Sequence, residues 1–206
     1  MKRSFILIIF LAGWFALIAQ FVLMVQNRIA PVSETVVRYF SFFTILSNLI
    51  VAIYFTRLLF RQNNHTTFTH KRNENLTAIT VYILVVGLVY QVVLRSLWHP
   101  QGLQMWVDEL LHTLIPAAVL IFWFLYQNAD LLKWKSIFSW LSYPLVYLVF
   151  ILIRGRVSGY YPYPFVDVNQ LGIQKVMINS VFLLLFFIFI SAILIGLGKL
   201  MLSKKQ

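Results

Sequence analysis

Six apolar stretches, each close to the length that crosses a lipid bilayer, constrain the fold of this chain more than any other feature. A membrane-spanning helix needs about 20 mostly apolar residues, and such stretches lie at about 5–26, 36–60, 76–97, 107–126, 137–153 and 174–201. Only 11% of the residues are charged, whereas soluble domains carry about a quarter. We therefore predict an all-α integral membrane bundle of six transmembrane helices, forming a single domain over residues 1–206.

Basic residues are divided unequally between the two ends of these predicted helices. Cytoplasmic loops carry an excess of Lys and Arg. One side has Lys2, Arg3, Arg57, Arg61, Lys71, Arg72, Lys133, Lys135, Lys199, Lys204 and Lys205, and the other has Arg28, Arg38, Arg95, Arg154, Arg156 and Lys175. We therefore expect both termini in the cytosol. This asymmetry accounts for the net charge of +11 without a nucleic-acid partner.

A polar stripe interrupts the second apolar stretch. On a helix that advances about 100° per residue, one face of this stretch presents Ser41, Thr44, Ser47 and Asn48. A polar side chain at membrane depth faces the bundle interior or a water-filled cavity rather than lipid. The stripe therefore predicts one wall of a functional site.

The other five spans carry polar residues in the half that the charge distribution places outside. These residues are Gln20, Gln91, Arg95, Asp108, Glu109, His112, Tyr143, Tyr147, Arg154, Asn179 and Ser180. The inner halves are almost wholly apolar. A channel or an alternating-access transporter is expected to carry polar residues through both halves. The pattern therefore favours a pocket that opens outward and is closed toward the cytosol.

Thr44 and His112 lie at the same predicted depth, about 8 to 9 Å below the outer surface at about 1.5 Å per residue. Histidine is the usual base near neutral pH, and a hydroxyl becomes a useful nucleophile when such a base is within hydrogen-bond reach. Asp108, one turn before His112, is placed to orient the imidazole. Pro116 cannot donate to the His112 carbonyl, which predicts a kink in this helix. Periodicity alone still favours a hydrogen-bonded core pair with no catalytic role.

No residue pattern predicts a cofactor or a metal. The chain has no cysteine, which excludes disulfides, thiolate nucleophiles and Cys-ligated clusters. A haem with paired axial ligands would need a second outer-side histidine, and only His99, in a loop, is available. We therefore expect neither a cofactor nor a metal.

Three groups of motifs carry a resemblance to a known family. They are residues 39–48 (YFSFFTILSN), residues 111–116 (LHTLIP), and residues 142–147 (SYPLVY) with 154–155 (RG) and 161–165 (YPYPF). With these motifs the chain resembles the androgen-induced family of multipass membrane proteins, which includes the androgen-dependent tissue-factor-pathway-inhibitor-regulating protein. It is most similar to the six-helix bacterial relatives. The order of the motifs and the six-span layout cover nearly the whole chain.

The resemblance implies a membrane threonine hydrolase that cleaves fatty acid esters of hydroxy fatty acids. The nucleophile and the base of that family map onto Thr44 and His112. It also implies the plasma (inner) membrane of a bacterium, and it supplies no particular substrate for the bacterial relatives. We therefore expect a membrane lipid or lipid ester as the substrate, with no prediction of the oligomeric state.

Several further residues are candidates for a supporting role in such a site. An oxyanion needs nearby donors, which Asn48, Arg95 or Tyr147 would supply. A substrate carboxylate suits an arginine at the rim, and the candidates there are Arg154, Arg95 and Arg38. The alternative is a non-catalytic lipid-binding or scaffold protein, or a small transporter, in which Thr44 and His112 only hydrogen-bond across helices.

Overall fold

The computed structural model describes residues 1–60, 69–127 and 132–203. Over these residues the chain is all-helical, as predicted, and has no strand. Within these described ranges, five helices are long and apolar enough to cross a membrane, or six if one bent pair forms a single span. Arg61, Lys204 and Lys205, which enter the charge asymmetry, lie outside the described residues. The cytosolic position of the termini stays a prediction.

Two compact units make up the chain, Met1–Asn128 and Ala129–Gln206. The elements of the first unit are α1 (Lys2–Gln26), α2 (Val32–Ser41), α3 (Phe43–Leu59), α4 (Thr69–Val89), the π-helical turn π1 (Tyr90–Leu94), α5 (Leu103–Glu109), the π-helical turn π2 (Leu110–Leu114) and α6 (Ile115–Tyr126). The π turns continue the neighbouring α-helices, so Asn75–Leu94 and Leu103–Tyr126 each form one apolar span.

The second predicted span is interrupted at Phe42. Helix α2 ends at Ser41 and α3 begins at Phe43, with a bend of 74° between them. Phe42 has an extended backbone, with φ of −82° and ψ of 125°. The Ser41 hydroxyl donates to the Val37 carbonyl one turn earlier, at 2.7 Å, and such back-bonding favours bending of a helix. The prediction of one uninterrupted helix over 36–60 is therefore wrong at this point.

Helix α1 packs along α3 and fixes it from the side. The Trp14 indole donates to the Thr56 hydroxyl at 2.9 Å, and the Tyr39 hydroxyl donates to the Leu17 carbonyl at 2.8 Å. Next to Thr56, the Phe55 ring of α3 meets the Phe122 ring of α6 edge-on, with the centroids 5.0 Å apart. The Trp14 and Phe55 contacts hold the C-terminal part of α3 against α1 and α6. The Tyr39 contact holds α2, which leads into the first turn of α3, against α1.

The second unit contains α7 (Ser136–Trp140), α8 (Ser142–Ser158), the short 3-10 turn Pro164–Val166 and α9 (Val168–Ser203). Helix α9 is interrupted at Gly172, whose φ of 74° lies in the left-handed region that glycine adopts most readily. The apolar part of α9 therefore begins beyond Gly172, close to the predicted start at 174. The predicted span over 137–153 includes a turn at Leu141 and continues to Ser158.

The proline-rich segment between α8 and α9 is bound to both helices. Buried Arg154 of α8 donates to the Tyr160 carbonyl at 3.0 Å, and its guanidinium lies 4.7 Å from the centre of the Tyr160 ring. On the other side, Asn179 of α9 donates to the Phe165 carbonyl at 2.9 Å. Hydrogen bonds to two of its main-chain carbonyls thus tie the segment to α8 and to α9.

Replacement of Thr77 by Val tests the packing of α4 against α6. The Trp123 indole donates to the Thr77 hydroxyl at 2.8 Å, and both residues are fully buried. Thr77→Val keeps the volume but leaves the indole N–H without its acceptor, so we expect a loss of about 1–2 kcal/mol in the free energy of unfolding. Thermal unfolding of the purified protein in detergent measures this loss.

The matched control is Thr80→Val. Thr80 is equally buried, but its hydroxyl donates to the Leu76 carbonyl of the same helix, so no second helix loses a partner. Equal unfolding temperatures for the two variants would contradict the assigned role of the Trp123 contact.

Candidate active site

Three interrupted helices bring the candidate residues together in the first unit. Thr44 is the second residue of α3, directly after the break at Phe42. His112 lies in the middle of π2, and Asp108 lies just before it in α5. Tyr90 is the first residue of π1. The candidate nucleophile and base therefore both lie where regular α-helical geometry is interrupted.

The Thr44 hydroxyl faces the imidazole of His112. Thr44 Oγ1 lies 3.3 Å from His112 Nε2, although the two residues are 68 positions apart in the chain. Thr44 is 8% exposed, and the His112 side chain is 11% exposed, so the contact is largely shielded. The distance is slightly longer than an ordinary hydrogen bond, as is common in catalytic sites without substrate.

The other nitrogen of His112 determines which tautomer faces Thr44. His112 Nδ1 lies 3.0 Å from the main-chain carbonyl of Asp108 and 3.3 Å from Oδ1 of the Asp108 side chain. A main-chain carbonyl only accepts hydrogen bonds, so Nδ1 carries the proton. In the neutral ring Nε2 then has the lone pair and is able to accept a hydrogen bond from the Thr44 hydroxyl.

The π2 turn follows from the position of Pro116. Proline has no N–H, so the carbonyl of His112 has no α-helical donor four residues later. The chain forms a wider turn instead, in which the Ile115 N–H donates to the Leu110 carbonyl five residues earlier. Such π turns recur at functional sites. The kink that the sequence predicted at Pro116 is therefore realised as a π turn that contains the histidine.

Gly87 of α4 allows a close approach to this turn. A Cβ atom at Gly87 would lie 2.9 Å from the His112 carbonyl oxygen and 3.2 Å from Cβ of Pro116. The first distance is shorter than real Cβ contacts, so no larger residue fits without a shift. Glycine here lets α4 support the main chain of His112 directly.

Tyr90 and Arg95 extend the site away from Thr44. The Tyr90 ring stacks on the His112 ring, with the centroids 4.1 Å apart and the planes at 16°. The Arg95 guanidinium lies 5.9 Å from the centre of the Tyr90 ring. Arg95 also forms an ion pair with Glu109 and donates to Gln91 Oε1 at 2.6 Å. The Tyr90 ring therefore lies between the half-exposed guanidinium of Arg95 and the imidazole of His112.

Asn48 lies one turn after Thr44 in α3 and is completely buried. Its side-chain Nδ2 donates to the Thr44 carbonyl at 2.9 Å and to the Leu111 carbonyl at 3.3 Å. Both hydrogens of the amide are used by these bonds, which leaves neither for a substrate oxyanion. Asn48 therefore joins α3 to π2, and the predicted role as an oxyanion donor is not supported.

The other predicted residues belong to α2 or to the second unit. The break at Phe42 separates Ser41 from Thr44, so these two residues do not share one helical face. Arg38 pairs with Glu34 at 2.8 Å within α2. Tyr147 and Arg154 belong to α8 of the second unit. Within the first unit, the structure thus brings together Thr44, His112, Asp108 and Asn48, and the Tyr90 ring links Arg95 to His112.

Sequence reasoning missed three features of the site, namely the Tyr90 ring, the Gly87 approach and the Leu111 carbonyl. An isolated glycine in an apolar helix is a signal for close packing, so Gly87 was detectable. Tyr90 is one aromatic among many, and a main-chain acceptor such as that of Leu111 leaves no trace in residue type.

Comparisons with family models, with curated proteins and with solved structures gave no match. The resemblance to the androgen-induced family therefore depends on the three groups of sequence motifs alone. Over the described residues, no group of three His, Asp or Glu side chains is arranged to hold a metal ion. The chemistry must be inferred from the geometry around Thr44 and His112.

Replacement of Gly87 by Ala tests the support of π2 by α4. Because the new methyl group would overlap the His112 carbonyl, we expect the free energy of unfolding to fall by about 1–3 kcal/mol. Thermal unfolding in detergent measures the change.

Gly196→Ala is the matched control for this variant. A Cβ at Gly196, inside α9, has no neighbour within 4 Å, and replacing a helical glycine by alanine normally stabilises by about 0.5–1 kcal/mol. If Gly87→Ala were as stable as Gly196→Ala, the close approach to His112 would be wrong.

Proposed function

We propose that the chain is an intramembrane hydrolase of lipid esters in which Thr44 is the nucleophile and His112 is the base. The supporting observation is the distance of 3.3 Å between Thr44 Oγ1 and His112 Nε2, with Nδ1 of the same ring close to both the main-chain carbonyl and the carboxylate of Asp108. This is the arrangement of a hydroxyl nucleophile, a base and an orienting group that acyl transfer requires. The resemblance to the androgen-induced family of threonine hydrolases favours the same chemistry.

In the first half of the reaction, Thr44 Oγ1 attacks the carbonyl carbon of the ester and its proton passes to His112 Nε2. The imidazolium that forms is stabilised by the Asp108 carboxylate, 3.3 Å from Nδ1. As the tetrahedral intermediate collapses, the carbon–oxygen bond to the leaving alcohol breaks. That alcohol takes the proton from Nε2 and departs, which leaves an acyl-threonine.

In the second half, a water molecule attacks the acyl carbonyl carbon and gives its proton to His112 Nε2. The bond between the acyl carbon and Thr44 Oγ1 then breaks, and Thr44 recovers the proton. The carboxylic acid is released, and the enzyme returns to its starting state with His112 neutral.

The position of Thr44 in the first turn of α3 favours the negative charge that develops during attack. The positive end of a helix macrodipole lies at its N-terminus and stabilises a nearby anion by typically about 0.3–1 kcal/mol. Helix α3 has 17 residues, which is long enough for this effect. The break at Phe42 therefore places the nucleophile at the end of a helix instead of in its middle.

A fatty acid ester of a hydroxy fatty acid fits the surroundings of the proposed site. Its acyl chains would lie among the apolar residues of the spans, and Arg95 would bind its carboxylate in place of Glu109. With both termini in the cytosol, the site would face the outer half of a bacterial plasma membrane. Arg95 is 48% exposed, so a substrate group at the rim can reach it.

Single replacements of Thr44 and His112 test the proposed function. We expect Thr44→Ala and His112→Ala each to lower the release of free fatty acid by about 100-fold or more, because each removes a group that acts in bond formation. The assay uses the purified protein in detergent with a panel of lipid esters that includes fatty acid esters of hydroxy fatty acids.

Ser191→Ala serves as the control, because the buried Ser191 hydroxyl only donates to the Phe187 carbonyl one turn earlier. Its turnover should equal that of the wild type. If the wild type and both site variants release fatty acid at the same rate, or none of them releases any, a non-catalytic lipid-binding or scaffold role is favoured instead.

The Asp108 side chain provides a graded test of the same mechanism. Because the main-chain carbonyl of Asp108 already holds the proton on Nδ1, the Asp108→Asn variant keeps the correct tautomer and loses only the charge that stabilises the imidazolium. We expect kcat to fall by about 10-fold, less than when the tautomer itself is lost. A loss as large as that of His112→Ala would show that the side chain, and not the main chain, fixes the tautomer.

A further inference from the structure

Asn48 contacts the main chain on both sides of the Thr44–His112 pair. One of its bonds ends on the carbonyl of Thr44 itself. The other ends on the carbonyl of Leu111, the residue directly before His112. A single planar amide thus spans the gap between α3 and π2 next to the two reacting side chains.

The orientation of this amide follows from its partners. Main-chain carbonyls only accept hydrogen bonds, so the NH2 group must face both of them. The amide oxygen then points away, and in the described part of the chain Asn48 Oδ1 is buried without a hydrogen-bond partner. A buried acceptor without a donor costs stability, so part of what the two hydrogen bonds of Asn48 contribute to folding stability is offset by its own oxygen.

We infer that Asn48 is a positioning residue that sets the distance between Thr44 and His112. This inference rests on the proposed function and assigns Asn48 a role in it other than oxyanion binding. The bonds fix the main chain of the nucleophile and that of the residue before the base relative to each other. A displacement of about 1 Å in such a pair can lower the rate by about 100-fold.

Two variants at position 48 separate the bond within α3 from the bond to π2. Asn48→Leu removes both bonds and keeps the volume. Asn48→Ser keeps a donor to the Thr44 carbonyl, as Ser180 donates to the Val176 carbonyl one turn earlier at 2.7 Å, but it is too short to reach Leu111. The control is Thr80→Val, which removes a buried hydroxyl bonded only within its own helix.

The measurements are kcat and KM for a lipid ester, the rate at which a fluorophosphonate probe labels Thr44, and the unfolding temperature. For both Asn48 variants we expect kcat and the labelling rate to fall by about 10- to 100-fold, with KM changed by less than about twofold. Thr80→Val should keep the wild-type values of kcat and labelling, whatever its unfolding temperature.

The inference is overturned if Asn48→Ser retains the wild-type kcat and labelling rate. It is also overturned if Thr80→Val lowers kcat as much as Asn48→Ser does, because a general loss of stability would then explain both. If Asn48→Leu does not fold, Asn48→Ser decides the question by itself. Failure of the proposed function is a different result, in which Thr44→Ala turns over the ester and is labelled at the wild-type rate.

Discussion

The hydrogen bond from His112 Nδ1 to the main-chain carbonyl of Asp108 is the interaction on which the chemistry of this site depends. If the acceptor were only a side-chain hydroxyl, either tautomer of the imidazole would be compatible with it. Because a carbonyl has no proton to give, Nδ1 carries a proton, and the lone pair of the neutral ring is on Nε2, 3.3 Å from the Thr44 hydroxyl oxygen. The Asp108 carboxylate is close enough to stabilise the charged ring, whereas the tautomer of the neutral ring is fixed by the main-chain carbonyl.

The same part of the molecule contains the main departures from regular α-helix in the first unit. Inside a bilayer, every main-chain N–H and C=O must find a partner within the protein, so an interrupted helix is tolerated only where other protein groups surround it. The break at Phe42 brings Thr44 to a helix start, π2 contains His112, and π1 begins at Tyr90, which stacks on His112. Asn48 then bonds to the carbonyl of Leu111, within π2. Together these irregularities hold the Thr44 hydroxyl next to the His112 imidazole.

Much of this arrangement could be predicted from the sequence, because it follows from length and periodicity. Apolar stretches of bilayer length predict the all-α fold. The positions of Thr44 and His112 along their helices predict that the two residues lie at the same depth. Pro116 indicated that the helix is perturbed at His112, since proline removes a specific main-chain donor.

Tertiary packing determines the rest, and it leaves little signal in residue type. Residues 41–43 include neither proline nor glycine, so local helix propensity does not predict a break at Phe42. The predicted polar stripe required one continuous helix from Ser41 to Asn48. The break at Phe42 ends that helix after Ser41, so Ser41 is not on the same face as Thr44. The helical spacing predicts Asn48 one turn after Thr44, but its bond across to π2 depends on where the Leu111 carbonyl lies, which no periodicity predicts. Gly87 supports His112 through the absence of a side chain, which only the packed structure reveals.

The most direct test of the account is to trap the covalent intermediate. The purified wild-type protein is mixed with a lipid ester whose acyl group is isotopically labelled, quenched in acid during turnover, digested and mapped by mass spectrometry. The account predicts that the labelled acyl group is found on Thr44 and is absent from the His112→Ala protein. Hydrolysis with the acyl group on another residue, or with no acyl group on the protein at any time, would contradict it.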